Sequence, residues 1–424
     1  MIAMMQRPAA LEGCSMAPEG RPIPAANGVP VAVDARQSQA GPVQHRGRPM
    51  MHASLRAAIL MAAALPVAHA GAPSSGGYAD LSLEELAGIE VTTVSRRAQR
   101  LEVAAASAFV ITGDAIRRSG ARSLPEALRL APNLQVARIN ATEYAISARG
   151  FNNAIGNKLL VLIDGRTVYA PFFSGVFWDQ QDVMLEDVER IEVVSGPRAT
   201  LWGANAVNGV INVITRPAGD TVGTMAVAGG GGRDRRAALR GGRAWGDQGA
   251  WRLYAQTSSI HATERESGAA LADSAERHQV GFRSDWTGQV SDFTLQGDAY
   301  RMRTQPRGFF GPIDLTPLAT SGANLLARWT RRLDDDATFR LQAYFDHTDR
   351  DDALLYRPVV DTTDVEFQHG LQRGSHQLLW GAGYRRSRDR IAPGLFFGFV
   401  PAASSQEWSN VFVQDELALA TGVD

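Results

Sequence analysis

The rhythm of apolar and polar residues changes once along this chain, near residue 218. Beyond that point the sequence falls into segments of about ten residues with two-residue alternation, separated by Gly, Asp, Asn and Ser. In Phe339-Arg340-Leu341-Gln342-Ala343-Tyr344-Phe345-Asp346 every odd residue is apolar and every even one polar or amphipathic. A strand with that pattern turns one face to lipid and the other to a watery interior. Trp251, Leu253 and Ala255 alternate with Arg252, Tyr254 and Gln256, and Phe293, Leu295 and Ala299 alternate with Thr294, Gln296, Asp298 and Tyr300. Leu378, Trp380, Ala382 and Tyr384 share one face. A soluble antiparallel sandwich also alternates, so the number of strands decides. About ten are predicted, joined by short polar turns such as Leu333-Asp334-Asp335-Asp336 and by longer loops near 308–320 and 390–405, as in an outer-membrane barrel. Gly229 to Gly232 reads as a hairpin between two of them, and Asp349, Arg350, Asp351 and Asp352 as a solvated loop.

Before residue 218 no single period holds. Ala108-Phe109-Val110-Ile111 suits a buried strand, and Asp114 to Ser119 a short helix stopped by Gly120. Ser123-Leu124-Pro125-Glu126 has capping-box spacing, with Pro tolerated in the first turn, and Leu124, Leu128 and Ala131 then share an inward face up to Pro132. Leu159 to Ile163 is an apolar run of strand length, and Asp164-Gly165 is a favoured pair for a tight hairpin into Arg166-Thr167-Val168. Together these predict an α+β domain over 103–217, large enough to fold by itself.

The densest stretch, Arg190 to Arg216, reads RIEVVSGPRATLWGANAVNGVINVITR: a strand, a Gly-Pro break, a short turn and a second strand rich in β-branched residues. With Ile163-Asp164-Gly165-Arg166 and Arg149-Gly150-Phe151 upstream, it resembles the plug domain of TonB-dependent outer-membrane receptors, the energised importers of iron chelates, cobalamin and similar scarce nutrients. The resemblance covers residues 81–217 by specific motifs and the rest by strand pattern. It implies an α+β plug domain followed by an antiparallel transmembrane β-barrel of about twenty-two strands. The chain carries about ten of these, so the barrel is expected to be incomplete. The implied function is capture of a scarce ligand, a ferric siderophore first among candidates, and import into the periplasm with energy from TonB. TonB with ExbB and ExbD, outer-membrane lipid and a siderophore-like ligand are the implied partners. A remnant with a folded plug and an unclosed barrel, which does not transport, is the alternative.

The resemblance also assigns residues. Ile89, Glu90, Val91, Thr92, Thr93, Val94 and Ser95 resemble a TonB box. They form a Val/Thr-rich extended segment without an obvious strand partner, which TonB could take up by strand addition; an edge strand of the plug is the other reading. Arg149, Arg166 and Arg198 lie in family-like phrases. They could clamp carboxylates of the barrel wall as plug–barrel latches, or simply meet water in the lumen. Phe151, Asn152 and Asn153, with Tyr169, Phe172, Phe173, Phe177 and Trp178, are ligand-contact candidates; the aromatics would form a platform for an aromatic chelate or pack the plug against the wall. Gly150, Gly165, Gly196, Gly203 and Gly209 are expected to serve turns and close backbone approach.

At the N-terminal end, Ala57 to Leu65 is a short apolar run broken by Pro66 and followed by Ala68-His69-Ala70. It reads as a secretory signal peptide over 50–70, cleaved after Ala70, with translation from Met50 or Met51 and residues 1–49 as a disordered, mis-assigned extension. A periplasmic segment, 71–102, then leads into the plug, 103–217, and the partial barrel, 218–424. No run is long enough for a membrane-spanning helix. The net charge of −1 gives no reason to expect a nucleic-acid partner, and the lone Cys14 allows neither a disulfide framework nor a Cys-based metal site. No catalytic constellation or metal-ligand spacing is found, so neither enzyme activity nor a bound cofactor is expected beyond a transported iron chelate.

Overall fold

The computed structural model describes residues 7–8, 90–93, 96, 99–100, 107–150, 152–154, 156, 158–196, 202, 205–232, 234–264, 266–271, 273–305, 317–334 and 336–417. The signal-peptide reading, Arg198, Gly203 and most of the loop near 308–320 lie outside these residues.

β1 (Arg7–Pro8) lies far upstream, and β2 (Glu90–Val91) pairs with β3 (Gln99–Arg100). The α+β domain follows with β4 (Ala108–Thr112), α1 (Gly113–Ser119), α2 (Leu124–Leu128), β5 (Gln135–Arg138), β6 (Tyr144–Ser147), β7 (Leu159–Ile163), β8 (Arg166–Thr167), β9 (Val188–Ser195) and β10 (Gly209–Thr215). Its main sheet has the order β4-β9-β10-β7-β8, with β7 and β10 parallel and the other pairs antiparallel. Both faces are covered, so all five residues of β7 are buried. Val161 and Ile163 join Ile191, Ile211 and the helix residues Ile116, Leu124 and Leu128 in the larger core, while Leu160 and Leu162 meet Ala206 and Val210 on the other face.

Local chemistry explains most of the short elements. Thr112 caps α1 by accepting from the Ala115 N–H at 3.2 Å, and Gly120 closes it at φ 70°. Asp164 and Gly165 take φ 51° and 86°, the paired positive values a two-residue hairpin needs. Gly209 permits close approach, since a Cβ there would stand 2.4 Å from the Val194 carbonyl oxygen. The capping box expected at Ser123 does not form, as the Ser123 side chain makes no cap bond. The Glu126 carboxylate instead accepts from Arg129 Nε and Tyr144 Oη, each at 2.7 Å. Burial and then the bond to Glu126 hold the Tyr144 phenol well above its ordinary pKa, so it remains a donor.

Ten long strands follow as a meander: β11 (Gly223–Gly230), β12 (Asp234–Trp245), β13 (Gly249–Ile260), β14 (Ala275–Thr287), β15 (Ser291–Thr304), β16 (Ala319–Asp334), β17 (Ala337–Asp351), β18 (Tyr356–Arg373), β19 (His376–Pro393) and β20 (Ala403–Leu417). β20 carries β1 on its other edge, and β11 and β20 do not pair with each other, so among the described residues this wall is an open antiparallel sheet. Gly229 and Gly230 belong to β11 itself, leaving 231–233 as the connection to β12. β17 runs on to Asp351, so Asp349 and Arg350 are strand residues rather than a solvated loop.

Alternation holds throughout the wall. Leu253, Phe293, Leu295, Leu325, Phe345 and Val365 are exposed on the outward face, while Arg252, Gln256, Gln279, Arg283 and Gln342 are buried on the inward one. Near one rim of the outward face Trp286, Phe293, Trp329, Phe339, Phe367 and Trp380 form a continuous row of ring contacts, with centroids 5.0–5.9 Å apart. An apolar band edged by aromatics is how strands meet a bilayer. Connections at that rim are short, at 246–248, 288–290, 335–336 and 374–375, whereas the opposite rim carries the longer connections 261–274, 305–318 and 394–402. Among the described residues no helix is long and apolar enough to cross a membrane.

Candidate functional site

The inward positions of β12 to β17 are rich in arginine, and these side chains grip the α+β domain. A guanidinium taken out of water needs partners with matched geometry. Arg236 holds Glu186 through both of its terminal nitrogens, at 2.6 and 2.7 Å. Arg240 pairs with Asp187, and Arg252 stands 3.2 Å from the same carboxylate. Arg283 donates to the Thr215 carbonyl at 3.0 Å and its hydroxyl at 2.9 Å. Arg277 donates to the carbonyls of Asp179 and Gln180 at 2.9 and 3.0 Å. Burial alone would raise the Glu186 pKa, but the bonds and charge of Arg236 outweigh it and hold the carboxyl below its usual range.

The β7–β8 hairpin is a second grip point. Asp164 accepts from the Thr215 N–H and hydroxyl and from Gln296 Nε2, each at 2.8 Å. Its carbonyl receives Arg328 of β16. Beside it Arg166, one of the latch candidates, pairs with Asp346 of β17. Of the other two latch candidates, Arg149 has φ 59° and its guanidinium lies 3.6 Å from where a Cβ on Gly196 would stand, while Arg198 is outside the described residues.

The N-terminal segment is held by a separate set of contacts. Ile89, Val94 and Ser95 lie outside the described residues. Glu90 and Val91 form β2 and are paired with β3, so this stretch has a strand partner, contrary to the expectation from sequence. Glu192, fully buried in the inner strand β9, accepts from the Thr92 N–H at 2.9 Å, the Thr93 N–H at 2.8 Å, the Thr93 hydroxyl and Arg190 Nε at 2.9 Å. Trp202 Nε1 donates to the Thr93 carbonyl at 2.8 Å, and Asn212 Nδ2 to its hydroxyl at 3.1 Å. Arg96 then bridges to the wall: it pairs with Glu366 at 2.7 Å and lies between the rings of Trp202 and Phe412, at 4.4 and 4.6 Å. A polar cavity of about 440 Å³ opens beside this segment, lined by Arg190, Arg340 and Arg385 among others.

The aromatic stretch 169–178 faces the rim of long loops. Phe173 stacks on Phe177 at 3.9 Å, and Phe172 contacts Phe177 at 5.8 Å, Tyr356 at the start of β18 at 5.8 Å and Phe399 of the 394–402 loop at 6.3 Å. Arg350 lies 4.7 Å from the Phe177 ring and pairs with Asp179. Phe177 and Trp178 are buried, Tyr169, Phe172 and Phe173 half-buried, and Asn152 and Asn153 exposed; Phe151 is outside the described residues. A loop contact missed from sequence is Asp273, which accepts from the Ala141 N–H at 2.9 Å and from Thr263 at 2.6 and 2.8 Å, tying the 261–274 connection to the turn before β6. Arg96, Glu192, Trp202 and Glu366 were also missed. Only Glu192 left a signal, as an acid among Ile191, Val193 and Val194 that must find buried partners. No cluster of metal-ligating side chains is present among the described residues.

Residues 100–210 match the family described as TonB-dependent Receptor Plug Domain. The vitamin B12 transporter BtuB of Vibrio cholerae is 31% identical over 196 residues, 46% of this chain and 31% of the relative. The iron-regulated outer membrane virulence protein of the same species is 35% identical over 131 residues, 30% of this chain and 20% of that protein. The match therefore spans less than a third of the length of these curated relatives. Among solved structures, a point mutant of the ferric enterobactin receptor PfeA of Pseudomonas aeruginosa shares the fold at a TM-score of 0.60 and 14% identity, over 79% of this chain and 57% of that one. Residues 100–210 thus form a plug domain of the TonB-dependent receptor type, and the chain shares the fold of the solved receptors that it resembles.

Proposed function

We propose that the protein is an outer-membrane receptor of a Gram-negative bacterium that binds a scarce ligand, a ferric siderophore first among candidates, and passes it to the periplasm with energy delivered through TonB. One observation carries this reading. The plug lies on the polar face of a wall whose other face is apolar, and the segment containing the TonB-box candidate is gripped by plug and wall through contacts of its own. Tight surface binding cannot by itself release a ligand inward, so external work applied to that segment is the missing step. The relatives support transport of either cobalamin or iron chelates. The aromatic group of Phe172, Phe173 and Phe177 favours an aromatic chelate, and Phe151, Asn152, Asn153, Tyr169 and Trp178 are the further contact candidates.

The test is uptake by cells lacking their own receptors, with and without functional TonB. Labelled ferric catecholate is expected to bind in both and to accumulate only with TonB. Phe172→Ala with Phe173→Ala is expected to weaken binding roughly tenfold. Absence of binding by both the catecholate and cobalamin sinks the proposal. Binding without accumulation in either strain would support a non-transporting remnant instead.

A further inference from the structure

On the outward face of the wall, the apolar band ends toward the long-loop rim in a collar of arginines. Arg301 and Arg303 on β15, and Arg388 and Arg390 on β19, are exposed and have no carboxylate within ion-pair distance among the described residues. Their neighbour Arg386 is engaged by Glu407 at 3.3 Å. The acids paired opposite them are Asp361, opposite Arg388 and bonded to His347, and Glu276, opposite Arg303. Height is the informative feature. Arg301 stands eight residues up its strand from Phe293, and Arg388 eight residues up from Trp380, both of which belong to the aromatic row. Arg303 and Arg390 stand ten residues up from the same two rings. At about 3.3 Å per residue and a strand tilt near 40°, these intervals rise about 20 to 25 Å, the thickness of the apolar band of a membrane barrel. The free guanidinium groups on both strands therefore come to the level where the headgroups of the far leaflet begin.

We propose that this collar binds the phosphate groups of outer-leaflet lipid headgroups. A guanidinium forks onto phosphate oxygens in bidentate fashion, and the acyl chains of such a lipid would lie along Tyr384, Ala382 and Trp380 below. Lipid, rather than a soluble anion, is the occupant because the arginines adjoin the apolar band and sit at matched height on two strands. The proposal rests on the reading that the wall spans the outer membrane. The full chain is reconstituted into bilayers, extracted in mild detergent and examined by native mass spectrometry with bisphosphorylated lipid A, the same lipid dephosphorylated, and inorganic phosphate as competitor. Selective retention of the phosphorylated lipid is expected, falling about tenfold in Arg388→Ser/Arg390→Ser. It should be unchanged in Arg243→Ser, an outward arginine near the short-turn rim. Equal retention of both lipids, or full displacement by inorganic phosphate, overturns the proposal while leaving the membrane reading intact. Failure of the chain to insert at all removes both.

Discussion

Glu192 shows how much one side chain can organise. It sits in the middle of a strand paired on both sides, where a carboxylate without donors would be prohibitive. Its oxygens are satisfied by Thr92, Thr93 and Arg190. In Glu192→Ala those donors lose their acceptor, and stability to urea is expected to fall by about 3 kcal/mol, with faster amide exchange at residues 90–93. Unchanged exchange there would show that the segment is held by something else. Arg96→Lys keeps the charge but loses the planar group between Trp202 and Phe412, so it should loosen the same residues without lowering global stability as much. The sequence announced Glu192 by its apolar neighbours but not its purpose, because Thr92 and Thr93 come from about a hundred residues upstream.

Among the elements, the β7–β8 hairpin was legible because Asp164-Gly165 encodes its own backbone. The capping box at α2 was misread because Tyr144, distant in sequence, takes the Glu126 carboxylate. The plug–wall grip carries a pH signature. The folded pKa of Glu186 is depressed, so the folded state binds fewer protons than the unfolded one. Its contribution is complete above the unfolded value of about 4.3 and is lost as pH falls through the lower folded value. Urea midpoints measured from about pH 6 to about pH 3 should therefore fall more steeply for the natural protein than for Glu186→Gln; parallel curves would mean that the pair with Arg236 adds nothing. On the other rim, Asp273→Asn should raise exchange at Ala141 and Thr263 while leaving plug sheet protection unchanged. Loss of protection across the sheet would show instead that the loop is integral to the plug.

For the whole molecule, alternation foretold ten strands and which residue faces which side, because a two-residue period is a property of each strand alone. What the wall's polar face would hold was not legible, since Arg236, Arg240, Arg252 and Arg283 acquire meaning only against Glu186, Asp187 and Thr215 of the plug. The apolar face makes a separate prediction. Leu325, exposed between Ala323 and Ala327, lies in mid-band, and Leu325→Arg should destabilise the inserted protein by about 2 to 4 kcal/mol. An effect under about 1 kcal/mol would argue that this face does not meet hydrocarbon.

The strand order of the plug has one more consequence. β4 is the first strand of that sheet along the chain and also its edge, joined among the described residues only to β9 by pairs from Ala108 to Thr112. A load pulling from the N-terminal side reaches the short β2–β3 pair and the bonds of Thr92 and Thr93 to Glu192, and, once these give, β4. It can peel that single ribbon away while the ladders joining β9, β10 and β7 stay closed, so the plug can yield in steps from its outermost stitch instead of tearing through its centre.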